Sequence, residues 1–122
     1  MGKIIEGSVD LERLYLTELF DLSDVEVTGD FRCSFNNLTN LEGSPHTVVG
    51  YFSCINNKLT SLEGAPQTVG KNFYCMYNDL TSLKGIPKTV GNDFYIDESL
   101  EDKFPEEYIR SLCNIEGDVE YV

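Results

Sequence analysis

Apolar and polar positions in this chain alternate on a fixed period rather than in helical stripes. Phe31, Phe52, Phe73 and Phe94 fall twenty-one residues apart, and Cys33, Cys54, Cys75 and Ile96 follow each by two. Asn36, Asn57 and Asn78 come three residues after the cysteines, then Leu38, Leu59 and Leu80, then Leu41, Leu62 and Leu83. Gly43, Gly64 and Gly85 precede Pro45, Pro66 and Pro87, and Val27, Val48, Val69 and Val90 close the unit. Self-similarity at such a period is the mark of a repeat architecture. Phe and Cys two apart share one face of a short strand. The Asn sits where the chain leaves that strand, placed to bond backbone groups of neighbouring coils. The paired leucines fill the core on the return, and Gly and Pro set turns on a side with little room for a helix. Stacked coils of this kind give a short parallel sheet on a concave face, an irregular convex side and one continuous core.

The pattern predicts a single domain over 1–122. It has a degenerate first repeat at 8–29, full repeats at 30–50, 51–71 and 72–92, a partial repeat at 93–103 and a C-terminal cap at 104–122. About five coils are expected. In the first repeat Val9-Asp10-Leu11 replaces Phe-x-Cys after a shift of 22, and Leu16-Thr17-Glu18-Leu19 copies Leu38-Thr39-Asn40-Leu41. Helical spacing of Leu11, Leu14, Tyr15 and Leu19 leaves an amphipathic helix over 9–20 as the alternative. The cap reads as a short helix from Pro105 to Cys113, with Pro and acids in its first turn, followed by a strand within 117–122.

Three stretches, VTGDFRCSFNNLTNLEGSP, INNKLTSLEGAPQTVGKNFYC and YNDLTSLKGIPKTVGNDFY, together with the ending FPEEYIRSLCNIEGDVEYV, resemble the short leucine-rich-repeat proteins of tailed bacteriophages. The resemblance spans nearly the whole chain. It implies a leucine-rich-repeat solenoid, a phage source and a protein-binding role, because such repeats are in general protein-binding scaffolds; fold alone fixes no target.

Charge adds to this picture. Residues 1–31 carry eight acids and two bases, residues 93–122 ten acids and two bases, and the middle three acids and five bases, for a net charge of −12. Direct nucleic-acid binding is disfavoured, since it works by neutralising phosphates. A partner protein with a basic surface is the better fit. The same acids also serve solubility and oppose stacking of ends. No apolar run reaches the roughly 20 residues of a membrane helix, and the start lacks a hydrophobic signal region. The expected location is therefore the cytoplasm, that of the host cell for a phage protein.

Enzymatic and metal chemistry finds little footing. The one histidine, His46, shares its register with Gln67 and Lys88 on the convex loops. Cys33, Cys54 and Cys75 lie a repeat apart rather than in close pairs, and Ile96 continues their row, so they read as small core hydrophobes and not as zinc ligands. There is no phosphate loop or calcium loop. Asp97, Glu98, Glu101 and Asp102 read as a solvated acidic face, with a cation site as the lesser alternative. No catalytic residue, cofactor or metal is expected.

A binding surface follows from the alternation. Residues between Phe and Cys point away from the core and form rows, Asp10, Arg32, Ser53, Tyr74, Tyr95 and then Glu12, Ser34, Ile55, Met76, Asp97. Asp30, Tyr51, Asn72 and Asp93 flank one side, and Phe35, Asn56, Tyr77 and Glu98 the other. The expected interface is Arg32, Phe35, Tyr51, Ser53, Ile55, Tyr74, Met76, Tyr77, Tyr95, Asp97 and Glu98, an aromatic and apolar cluster rimmed by acids. Phe35 and Tyr77 have local packing over the turn as an alternative role. The function expected is binding and inhibition of a host protein by occlusion, an antiviral defence component or a nucleic-acid-processing enzyme. The alternative is a phage structural or assembly protein, including one that binds a copy of itself.

Overall fold

The computed structural model describes residues 2–122 and shows a β-solenoid built from two parallel sheets. One sheet takes β1 (Lys3–Ile5), β3 (Val25–Val27), β5 (Thr47–Val48), β7 (Thr68–Val69), β9 (Thr89–Val90) and β11 (Asn114–Ile115). The other takes β2 (Val9–Asp10), β4 (Phe31–Arg32), β6 (Phe52–Ser53), β8 (Phe73–Tyr74), β10 (Phe94–Ile96) and β12 (Val119–Tyr121). Every neighbour pair is parallel, and each coil gives one strand to each sheet. Six strands per sheet make about six turns, one more than the repeat spacing implies.

The core is the repeat itself. Phe31, Phe52, Phe73 and Phe94 are fully buried and stack nearly parallel, with centroids 5.6, 5.3 and 5.4 Å apart. Cys33, Cys54, Cys75 and Ile96 form a second buried column beside them, and the leucine and valine rows complete the interior. Such close-packed, in-register columns hold the rise per coil fixed.

Asparagine closes the turn after each strand. The Asn57 amide donates to the carbonyls of Cys54 in its own coil and Cys33 in the coil before, while its Oδ1 accepts the Leu38 N–H. Asn36 and Asn78 repeat the arrangement. A second ladder runs along the corner between the sheets, where side chains accept N–H groups of the next coil: Asp30 from Tyr51, Asn72 from Asp93, and Asp93 from Asp118.

One difference from the sequence reading has a physical reason, and one alternative is resolved in favour of the degenerate first repeat. The side expected to be irregular carries the odd-numbered sheet, because Thr47-Val48, Thr68-Val69 and Thr89-Val90 place a β-branched pair in line from coil to coil before the corner. Residues 9–20 hold no helix: β2 pairs with β4 in the register Val9 to Phe31 and Asp10 to Arg32. At the other end α1 (Glu106–Leu112) buries Ile109 against the core, after a 3-10 turn at Glu98–Leu100.

Candidate functional site

Stacking brings most of the expected interface residues onto the outer face of the even-numbered sheet. Strand register aligns Arg32, Ser53, Tyr74 and Tyr95 in one row, and Glu120 of β12 extends it. Tyr74 and Tyr95 stack at 4.8 Å between centroids, and Tyr51 meets Tyr74 edge-on at 5.7 Å. All three are half-buried, as are Ile55 and Met76 in the next row. Lone tyrosines on a sheet surface are common; a contiguous stack flanked by Ile and Met is not required by the repeat.

Polar contacts hold these rings in place. The Asn72 amide donates to the Tyr74 hydroxyl at 2.8 Å. Arg32 forms an ion pair with Asp10, lies 3.5 Å from Glu12 and donates to the Tyr51 hydroxyl at 3.3 Å. The Tyr51 hydroxyl and the Asp10 carboxylate raise the guanidinium's pKa and keep it charged. The Asp10 carboxyl is in turn pulled below the usual carboxylate range, first by the Glu12 N–H and then by Arg32. Burial raises the Tyr95 phenol, and Asp93, Tyr74, Glu120 and Asp118 push in the same direction. The aromatic patch is thus bounded by an ion pair at one end and by negative charge at the other.

Four of the expected residues have individual surroundings, and of these Ser53 departs from its expected exposure. Ser53 is buried at 5% exposure, its hydroxyl hydrogen-bonded to that of Ser34, because it is the small residue between Arg32 and Tyr74 in the row. It therefore has no surface to offer a partner. Phe35 is only marginally exposed, and the Arg13 guanidinium lies 4.1 Å from its ring centroid. Tyr77 is 60% exposed and donates its N–H to Asp97 Oδ1 at 2.7 Å. Glu98 begins the 3-10 turn, so its row does not continue past Tyr77 in the same conformation.

Four of the five non-glycine residues with positive φ fall in one row, and Tyr15 is the fifth. Phe35, Asn56 and Tyr77, with Arg13 before them, have φ of 59°, 57°, 62° and 58°. Asn tolerates that left-handed conformation, whereas aromatic side chains there are strained. Two aromatics are therefore held where folding alone favours Asn or Gly.

Two contributions leave no signal at the repeat period. Asp118 and Glu120 border Tyr95 because β12 pairs with β10 in the register Tyr95 to Glu120. The alternation of Val119, Glu120 and Tyr121 carried the strand, but the offset of 25 rather than 21 hid the alignment. Asp30, Asn72 and Asp93 flank the patch in register, and their side chains serve the corner ladder.

The thiols of Cys33, Cys54 and Cys75 are pushed far up by burial, and that of Cys113 to about 11. Cys54 and Cys75 donate S–H to the carbonyls of Tyr74 and Tyr95 at 3.3 Å. Among the described residues no three His, Cys, Asp or Glu side chains gather as metal ligands, and no helix is long and apolar enough to cross a membrane. No protein-family model, curated protein or solved structure matches the chain.

Proposed function

We propose that this chain is a non-catalytic protein-binding module that acts through the outer face of its even-numbered sheet. The observation that carries the reading is the contiguous Tyr51, Tyr74 and Tyr95 cluster with Ile55 and Met76 beside it. Tyrosine and methionine are enriched at the centres of protein interfaces, and a stiff sheet lets them bind with little loss of freedom. Asp93, Asp97, Asp118 and Glu120 surround the patch on one side, which fits a partner whose apolar contact is ringed by Lys and Arg. The resemblance of the repeats to tailed-phage proteins makes that partner a host protein, and binding inhibits it by occlusion. An antiviral defence component or a nucleic-acid-processing enzyme has the basic surface this requires.

Affinity purification of the chain from phage-infected cells tests the reading. A host protein with a basic surface is the expected prey, and it should be absent when Tyr74→Ala and Met76→Asp are combined. Recovery of virion proteins alone would replace this reading with an assembly role.

A further inference from the structure

The chain turns a corner just before each even-numbered strand, and one position there has the same task in coil after coil. It is filled in turn by Ser8, Asp30, Tyr51, Asn72 and Asp93, each the residue before its strand. Ser8, Asp30, Asn72 and Asp93 accept the N–H of the same position one coil on, at 2.9, 2.9, 2.9 and 2.8 Å. Short side chains with an acceptor oxygen suit that span. A phenol is too long to fold back over it. At Tyr51 the ladder breaks, and among the described residues the Asn72 N–H has no acceptor.

Tyr51 turns its ring onto the sheet face instead. Its hydroxyl accepts from Arg32 Nη1 at 3.3 Å, and its ring meets Tyr74 edge-on at 5.7 Å. Arg32 reaches the other way, through Nη2, to Asp10 and Glu12. Guanidinium and phenol thus join the carboxylates of the first coil to the tyrosine stack. Ser53, beside Arg32 in register and two residues beyond Tyr51, is covered to 5% exposure. A second donor is left unpaired here, because Arg32 Nε is buried without an acceptor. Unpaired buried donors are uncommon in folded chains. Two of them around one side chain make an arrangement that folding alone does not favour, since Asn or Asp at this position closes the ladder in three other coils.

We infer that Tyr51 is a positioning residue, which forgoes the corner hydrogen bond and holds Arg32 against the tyrosine stack in the arrangement a partner meets. The inference rests on the reading of this sheet face as the partner surface. Arginine and tyrosine are enriched at the energetic centres of interfaces. A long side chain that is free beforehand loses its freedom on binding, at about two- to tenfold in affinity for each one immobilised. Held in advance, it loses little. Tyr74 has other supports, since the Asn72 amide donates to its hydroxyl and Tyr95 stacks on its ring. On the side of the stack, Arg32 has the Tyr51 hydroxyl as its hydrogen-bond acceptor.

Nuclear magnetic resonance on the whole chain reads the positioning without a partner. In the parent, the Asn72 amide should exchange with solvent about fivefold or more faster than the Tyr51 and Asp93 amides, the difference one hydrogen bond makes. The Arg32 Nε–H should be as rigid as the backbone. Tyr51→Phe removes the hydroxyl alone, and should loosen the Arg32 Nε–H while leaving the Asn72 amide as it was. Tyr51→Asn should loosen Arg32 too and slow the Asn72 amide to the rate of its Asp93 counterpart. A ring that only packs would leave Arg32 rigid in Tyr51→Phe. With the partner obtained in the purification above, Tyr51→Phe should bind about two- to tenfold more weakly, and that loss should vanish when Arg32→Met is already present. An Asn72 amide protected in the parent, an Arg32 indifferent to Tyr51→Phe, or an equal loss of affinity with and without Arg32→Met would each overturn the inference. A parent chain that captures no partner would instead sink the reading of the sheet face, while exchange and relaxation still decide whether Tyr51 holds Arg32.

Discussion

Single residues show where folding and binding pull apart. Tyr77 and Phe35 adopt positive φ at a row position that Asn56 fills at little steric cost. Left-handed backbone costs a residue with a branched or aromatic side chain about 1–2 kcal/mol, and the exposed Tyr77 ring recovers little of this by burial. Tyr77→Asn is therefore expected to stabilise the chain by about 1 kcal/mol, seen as a raised midpoint in urea. An unchanged or lowered midpoint would show that the ring packs in a way its exposure conceals. Asparagine makes the reverse case inside the fold, since Asn57 satisfies backbone groups of two coils at once and is buried.

At the scale of the coil, glycine sets how closely turns can stack. Gly64 has φ of +90°, and a methyl group there would collide with the backbone of Leu41 and Glu42 in the coil before. Gly64→Ala combines conformational strain with a backbone clash, and should destabilise by about 2–4 kcal/mol, measurable by chemical denaturation. A loss within about 0.5 kcal/mol would mean the coils have slack. The sequence made most of this level legible, because Phe, Cys, Asn and the leucines recur at one period and each has one structural use. The odd-numbered sheet was not legible, since two-residue Thr-Val strands are too short to alternate and are recognised only when their neighbours align. The site was legible as rows, for the same reason as the core. Exposure within a row was not, because it depends on neighbours: Ser53 is covered between Arg32 and Tyr74, and Glu120 joins the patch through a non-standard offset.

For the whole molecule, pH should define a plateau of stability. The Asp10 and Asp21 carboxyls are held below the ordinary value of 3.8, by hydrogen bonds and, for Asp10, Arg32. Their folded form binds protons less readily than the unfolded chain, so their contribution is present above that value and is lost as pH falls below it. The thiols and the Tyr95 and Tyr121 phenols are raised by burial, with Cys113 at about 11. Their contribution is complete below the ordinary thiol value of 9.0 and is lost as pH rises above it, through about 11 for Cys113 and at higher pH for Cys33, Cys54 and Cys75. Thermal melts across pH should fall off at both ends, and stability that rises above pH 10 would contradict the buried thiol column. Partner recognition is the larger claim, and it rests on one face. Calorimetric titration of the purified host partner with the parent chain, with Tyr74→Ala plus Met76→Asp, and with His46→Ala plus Gln67→Asp tests it most directly. The account predicts that the first pair weakens binding by at least about 2 kcal/mol while the chain stays folded, with a lowered melting temperature from the lost Tyr51 and Tyr95 ring contacts, and that the second pair binds like the parent. Full affinity in the first pair with loss in the second would place the interface on the opposite side and contradict it.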